Sequence, residues 1–122
     1  NNLQQWVIIQ ITPGQASSGV MTSINNAAGS NLEYWGLVMD QSSPNNINHF
    51  INNASSYKSK GMTGVNVPKI AGNYKQGTNE NIKRLQNAGY NICMFTWVTF
   101  SSSEISNYNS LGVRYLMTNG QQ

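Results

Sequence analysis

The chain has 122 residues, of which seven are basic and four acidic, so its net charge is +3. This length predicts one domain, residues 1–122, with a core of its own. The sparse charge excludes a dedicated nucleic-acid binder, which would cluster Lys and Arg on one face, and no apolar stretch reaches the ~18 residues of a membrane span. Uncharged polar residues, mainly Asn, Ser, Gln and Thr, take over the solubilising role of charge, which favours an extracellular, cell-surface or virion location.

Five apolar runs predict five β-strands. They cover residues 6–11, 34–39, 62–67, 90–98 and 113–117, and the first four begin 28 residues apart. Even spacing of this length is typical of successive βα units. We expect the third strand to be the weakest because Gly64 lies inside it, and the fourth to be buried on both faces because its apolar run is nearly continuous.

Four helices are predicted between these strands. They are residues 20–28, a helix that begins at Ser43-Pro44 and carries an apolar stripe from Ile47 to Tyr57, a helix capped by Thr78 or Asn79, and a helix before Gly112. Ser101 and Glu104 have the spacing of a capping box for the last helix, and Gly112 can take the left-handed conformation that ends it.

The alternation of five strands and four helices predicts an α/β fold with parallel strands. Such a sheet either stays open, with helices on both faces, or curves into part of a barrel. Five strands do not close a (β/α)₈ barrel, so in the second case another segment or chain must complete it.

Two stretches near the end of the chain carry recognisable motifs. Residues 85–98 read LQNAGYNICMFTWV, and residues 109–119 read NSLGVRYLMTN. They resemble the end of glycerophosphodiester phosphodiesterases, whose TIM barrel finishes with two such strands around a short helix; the matching residues are Thr96, Gly112, Val113 and Thr118. Residues 7–13 are similar to a mid-barrel strand of that family. The resemblance therefore implies that the five strands are strands 4 to 8 of a partial TIM (β/α)₈ barrel.

Four departures from that family bear on chemistry. Gln10 stands where the family has a glutamate and Thr12 where it has a lysine, while Arg114 and Asn119 replace two aspartates. The resemblance implies a divalent metal such as calcium or magnesium, but the cofactor of this chain is unknown because Gln10 replaces the expected carboxylate. The family's catalytic histidines lie in the first half of its barrel, so we expect no phosphodiester hydrolysis by this chain alone.

Five residues are candidate ligand-binding residues. Asp40 follows the second strand at the carboxyl end, where barrel enzymes keep their sites, and the alternative is a plain loop or capping acid. Lys69 and Lys75 lie on the longest strand-to-helix loop, which suits a phosphate or, alternatively, is a solvated mobile loop. Trp97 suits the floor of a glycerol or sugar site, or else ordinary barrel packing. Asn119 keeps a hydrogen-bonding group where the resemblance places an aspartate.

Two further residues have non-catalytic interpretations. His49 lies opposite the apolar stripe of its helix, which predicts a solvated surface histidine, and the chain has no second histidine. Cys93 lies in the middle of a strand, which predicts a small buried apolar residue rather than a reactive thiol. No catalytic residue and no metal ligand is therefore predicted.

Two functions remain as hypotheses. The first is the C-terminal half of a glycerophosphodiester-phosphodiesterase-like domain that engages glycerol-phosphate polymers such as teichoic acids. Its catalytic histidines and metal carboxylates would come from elsewhere, and an active full assembly would be a phosphodiester hydrolase. The second is a non-catalytic structural or adhesion module of a phage tail or cell-surface appendage. Both need a partner, because the first and last strands have unpaired edges that the remaining half of the barrel or a neighbouring subunit should cover.

Overall fold

The computed structural model describes residues 8–11, 18–29, 32–38 and 46–118. The strands are β1 (Ile8–Ile11), β2 (Glu33–Leu37), β3 (Met62–Pro68), β4 (Asn91–Phe95) and β5 (Tyr115–Met117). The helices are α1 (Ser18–Ala28), α2 (Ile47–Asn52), α3 (Ala54–Ser59), α4 (Asn79–Asn87) and α5 (Ser102–Leu111). None of the helices in these ranges is long and apolar enough to cross a membrane.

The five strands form one parallel sheet in the order β1-β2-β3-β4-β5. Because every strand lies next to its predecessor, right-handed crossovers place all the helices on the same face. The sheet curls into a half-barrel around its other face. The predicted α/β fold and partial parallel barrel are confirmed, and the alternative of an open sheet with helices on both faces is wrong.

Contacts between strands that are not neighbours show the curl directly. The side-chain amide of Asn66, on β3, donates a hydrogen bond to Oε1 of Gln10, on β1. Trp35 on β2 contacts Tyr115 on β5, with ring centroids 5.6 Å apart. In a flat sheet these strand pairs would be about 10 and 14 Å apart, so the inward side chains converge because the sheet bends towards them. We call this inward side the concave face and the helix-covered side the convex face.

The main core lies between the convex face and the helices. Its fully buried members include Tyr34, Val65, Val67, Ile92 and Met94 from the strands and Phe50, Ile82 and Leu85 from the helices. Gly36 provides the space for one of them, since a Cβ there would overlap the ring of Phe50, with Cζ only 2.8 Å away. The small residue in β2 therefore lets α2 pack close to the sheet.

The second predicted helix differs from the observed structure. It is two short helices, α2 and α3, separated at Asn53, whose backbone angles are φ −111° and ψ 17°. The side-chain amide of Asn53 donates to the carbonyl of His49 at 2.9 Å, so the break is stabilised by a local hydrogen bond. α2 begins after Asn46, whose side chain accepts from the amide of His49. The predicted start at Ser43-Pro44 lies outside the described residues.

β3 and β4 differ in length from the predicted strands. β3 is the longest of the described strands, with seven residues, and Gly64 inside it makes room for Trp35, whose Cε2 would lie 2.6 Å from an added Cβ. β4 ends at Phe95 rather than at residue 98. Beyond it the amide of Val98 turns back to Oγ1 of Thr96 at 3.3 Å, which directs Trp97 away from the sheet.

The predicted signals at the beginnings and ends of helices are confirmed. Ser101 and Glu104 form a reciprocal capping box on α5, and Gly112 ends that helix in the left-handed conformation at φ 82°. Of the two predicted caps for α4, Thr78 is the one used, since its side chain accepts from the amide of Asn81 at 3.1 Å. Such signals depend on a few adjacent residues, and the fold does not override them.

Candidate ligand-binding site

An exposed aromatic cluster lies at the carboxyl end of the sheet, on the loops that follow β3 and β4. Trp97 is 55% exposed, and its ring lies 5.0 Å from that of Tyr74 and 5.2 Å from that of Phe95. Backbone hydrogen bonds in both directions between Ala71 and Tyr74, each 3.0 Å, hold Tyr74 in a tight turn. We call Tyr74, Phe95 and Trp97 the aromatic rim. Tyr74 and Phe95 are half-buried and Trp97 is exposed, so Trp97 offers most of the surface that a ligand could contact.

Apolar neighbours extend the aromatic rim. Val98 is 63% exposed and Ile70 is 47% exposed. Trp97 had two interpretations from the sequence, a ligand-site floor or ordinary barrel packing, and both stay open, because its ring lies beyond the end of β4 and next to that of Phe95. Folding alone leaves much of its ring in water, which is unfavourable unless something else contacts it.

Lys69 contributes to the framework beneath the aromatic rim. Its Nζ donates to the carbonyl of Thr99 at 3.0 Å and to Oε1 of Glu104 at 2.9 Å, and its side chain is only 14% exposed. The hydrogen bond from Lys69, together with that from Ser101, lowers the pKa of Glu104 below its ordinary value. Lys69 therefore ties the loop after β3 to the start of α5, and its charge is already paired.

The other candidate residues divide between exposed and undescribed positions. Lys75 lies exposed next to Tyr74 in the sequence. Asp40 and Asn119 lie outside the described residues, as does Thr12, one of the departures from the phosphodiesterase pattern. The structure therefore brings Trp97 together with the loop that carries Lys69 and Lys75, and the remaining two candidates stay predictions.

A cavity of about 420 Å³ opens on the concave face. Its lining includes Gln10, Trp35, Asn66, Cys93, Tyr115 and Met117. The described lining residues carry no charge. Sequence reasoning identified Gln10 only as a lost carboxylate and missed Asn66, Trp35 and Tyr115; the one available signal was the alternation of inward and outward residues along each strand.

The amino end of the concave face is closed by a polar cluster. Glu33 Oε1 accepts from the indole nitrogen of Trp35 and from the hydroxyl of Thr63, both at 3.0 Å. Nη1 of Arg114 lies 3.5 Å from the same oxygen. Arg114, one of the departures from the phosphodiesterase pattern, thus balances the charge of Glu33 across the curled sheet.

The described lining of the concave cavity contains neutral side chains in place of charged metal ligands. Among the described residues, no group of three His, Cys, Asp or Glu side chains is placed to hold a metal ion. Cys93 is buried as predicted, and burial raises the pKa of its thiol to about 11, so the thiol stays neutral and weakly nucleophilic. Gln10 and Asn66 are neutral amides and are poor replacements for the carboxylates that hard divalent cations prefer.

His49 belongs to the other side of the sheet. It is half-buried, with Nε2 2.6 Å from the hydroxyl of Tyr57 and its ring edge-on to Phe50. The predicted solvated histidine is therefore wrong, because α3 turns Tyr57 back over it. Its hydrogen bond joins α2 to α3, which is a structural role.

Comparisons with known proteins give the fold and little more. No protein-family model matches the chain, and no curated protein matches it. Among solved structures, the chain is similar to a pilus assembly-related protein from Burkholderia pseudomallei, with a TM-score of 0.52 and 11% identity over 95% of this chain and 80% of that one. At this identity the likeness extends to the fold alone. The resemblance to glycerophosphodiester phosphodiesterases stays a prediction.

Proposed function

We propose that this chain is a non-catalytic binding module for a polyhydroxylated polymer of the glycerol-phosphate type, in an extracellular, cell-surface or virion protein. The observation that supports this most is the exposure of Trp97, held in place by Tyr74 and Phe95. A rigid, half-exposed indole presents a flat apolar surface with little entropy left to lose on binding. The C–H groups of a glycerol or sugar unit pack against such a surface.

Charge supports a polymer that carries phosphate. Lys75 is exposed on the loop that holds Tyr74, so a phosphate can approach its ammonium group while the neighbouring unit contacts Trp97. The overall charge of +3 favours the approach of an anionic polymer. Because Lys69 is paired with Glu104, Lys75 is the lysine of this loop that suits the role.

Hydrolysis is not part of the proposed function of this chain. Phosphodiester cleavage needs a cation for the developing charge and a group that moves protons. The described residues that line the concave cavity are uncharged, and Glu33 and Arg114 at its amino end are paired with each other. If the full assembly is a phosphodiester hydrolase, its histidines and metal carboxylates come from residues beyond those described here.

The direct test is binding of a purified glycerol-phosphate polymer, such as wall teichoic acid, by isothermal titration calorimetry. Trp97→Ala should weaken binding at least about tenfold, the loss of about 1.4 kcal/mol expected for an anchoring aromatic residue. Val20→Ala is the matched control, since it removes an exposed apolar side chain from α1, outside the aromatic rim, and should leave affinity within about twofold. Lys75→Gln should reduce the salt dependence of binding. No binding, or equal binding by both alanine variants, would remove the proposal.

A second candidate function is a structural or adhesion module of a surface appendage, which, like the half-barrel, needs a partner at the open edges of the sheet. β1 and β5 pair on one side only with described strands, and β5 leaves Met117 52% exposed. An edge with this exposure is a place for another strand to pair. The remaining half of a barrel or a neighbouring subunit would provide that strand.

Light scattering after size-exclusion chromatography tests this second function. The unmodified chain should associate, and Met117→Lys should shift it towards the monomer because a charge blocks the edge. Ile105→Lys places the same charge on α5, at another exposed apolar residue, and should leave association unchanged. If the unmodified chain is monomeric at high concentration, that result would contradict this second function and would leave the proposal of polymer binding at the aromatic rim unaffected.

A further inference from the structure

The concave cavity differs chemically from the aromatic rim. Its walls combine apolar side chains with two neutral amides, and no described lining residue is charged. A charged group placed there would lose part of its hydration without gaining a charged lining residue as a partner, which is unfavourable. The cavity therefore favours a neutral ligand, unlike the phosphate-bearing polymer proposed for the aromatic rim.

The two amides define what polar group such a ligand carries. The hydrogen bond between Asn66 and Gln10 uses the nitrogen of Asn66 and the oxygen of Gln10. An amide side chain has two donor hydrogens on nitrogen and an acceptor oxygen, so the pair retains the nitrogen of Gln10 as a donor and the oxygen of Asn66 as an acceptor. Gln10 is exposed, whereas Asn66 is only 5% exposed and fixed in β3. This arrangement suits a group that both accepts and donates, as a secondary amide does.

The surrounding surface suits a small apolar group next to that amide. Tyr115 and Met117 are 41% and 52% exposed, and Cys93 adds an uncharged thiol to the lining. Trp35 is fully buried, and its indole nitrogen already donates to Glu33. Trp35 therefore forms a rigid floor and does not compete for the polar group of a ligand.

We propose that the concave cavity binds the acetamido group of an N-acetylated sugar, with the amide recognised by Gln10 and Asn66 and the methyl group packed against Tyr115 and Met117. A volume of about 420 Å³ holds one such sugar residue and lies within the range of small-molecule sites. This inference does not depend on polymer binding at the aromatic rim, because it concerns different residues and a neutral ligand.

Amide-detected NMR tests the inference residue by residue. Titration with N-acetylglucosamine should shift the side-chain amide signals of Gln10 and Asn66 in a saturable way, whereas glucose, which lacks the acetamido group, should shift them much less. The chain contains an internal reference, since Asn79 and Asn107 form another amide pair between α4 and α5, with hydrogen bonds of 2.9 and 3.2 Å. The signals of that pair should stay unchanged.

Substitutions separate recognition from folding. Gln10→Leu changes an exposed side chain and should weaken binding of N-acetylglucosamine at least about fivefold while the spectrum stays dispersed. Asn66→Asp keeps the shape but adds a charge, and it should abolish binding; if that variant does not fold, Gln10→Leu alone decides.

Several outcomes would overturn the inference. They are equal shifts from both sugars, no shift at Gln10 and Asn66 at any concentration, and affinity that Gln10→Leu leaves unchanged. Shifts confined to the indole signal of Trp97 would also overturn it, and they would leave the proposed function of the aromatic rim standing.

Discussion

On both faces of the sheet a glycine packs against an aromatic ring, but the results differ. On the convex face, Gly36 admits the ring of Phe50 from α2; on the concave face, Gly64 admits the ring of Trp35 from the neighbouring strand. In both places a glycine and a fully buried aromatic residue fit together. The convex pair packs α2 closely against the sheet, whereas the concave pair leaves a cavity next to Trp35.

What surrounds each pair explains this difference. Phe50 is packed against Tyr57 and Tyr90, with ring centroids 5.8 and 6.3 Å away, so the convex face is filled by side chains from several helices and loops. Among the described residues, Trp35 has one aromatic neighbour, Tyr115, and a polar contact to Glu33. A curled parallel sheet with helices on one face only therefore has one face devoted to stability and another that is available for recognition.

The largest expected effect breaks the convex face. Phe50→Ala should destabilise the protein by about 3–5 kcal/mol, because it empties a fully buried site between α2 and the sheet. Urea unfolding followed by circular dichroism measures the change. Trp97→Ala is the comparison on the exposed aromatic rim and should change stability by less than about 1 kcal/mol. If the two variants are equally stable, the convex face is not the main core.

The second prediction sharpens the comparison between the two glycines. Gly36→Ala and Gly64→Ala should each destabilise by about 1–3 kcal/mol through overpacking. Combination with Phe50→Leu should relieve part of the effect of Gly36→Ala, since the obstacle there is mainly a side chain. Trp35→Leu should relieve less of the effect of Gly64→Ala, because the backbone carbonyl of Asn91 would also lie 2.8 Å from the new Cβ.

Double-mutant cycles measured by urea unfolding give the two coupling free energies. The expected order is a larger coupling for the Gly36 and Phe50 pair than for the Gly64 and Trp35 pair. The reverse order would mean that β4 can move away from β3 more easily than the register between them suggests.

The third prediction concerns the closed amino end of the concave face. Glu33→Ala removes the acceptor of the buried indole nitrogen of Trp35 and the partner of Arg114. The expected destabilisation is about 1–2 kcal/mol, most of it from the unsatisfied indole. Glu33→Gln keeps an acceptor oxygen and loses only the charge, so it should retain most of the stability. Equal losses for the two variants would assign the effect to charge rather than to the hydrogen bond.

The strands and the caps could be predicted from sequence because their signals are local. The apolar runs locate all five strands, and the capping box at Ser101 and the left-handed Gly112 fix the ends of α5. The break at Asn53 could not be predicted in this way, since the apolar stripe from Ile47 to Tyr57 continues across it. A short polar side chain that competes for a helix carbonyl gives no periodic signal.

The concave cavity could not be predicted because it depends on curvature. Gln10 and Asn66 are 56 residues apart in sequence and meet only because the sheet bends across β2. Gly64 illustrates the same limit: its effect on β3 depends on Trp35, a residue of another strand. Asp40 and Asn119, predicted from their positions after strands, lie outside the described residues and stay predictions.

The smallest expected change in stability comes from the ion pair between Lys69 and Glu104, at the carboxyl end of the sheet. The hydrogen bonds that Glu104 accepts lower its pKa in the folded protein below the ordinary 4.5, so the unfolded state binds the proton more readily. The stabilisation is therefore complete above about pH 4.5 and is lost as the pH falls through the folded-state pKa. Its size should be below about 1 kcal/mol, since the carboxylate is 33% exposed.

Urea midpoints at about pH 6 and about pH 3 measure this contribution. Glu104→Gln should lower stability at the higher pH and reduce the drop between the two. Glu80→Gln, at an exposed carboxylate in the first turn of α4, is the control and should change the drop less. If both variants reduce the drop equally, the drop reflects general charge effects and not this ion pair. Lys69 would then be held only weakly by Glu104 and would become available for a phosphate at the aromatic rim.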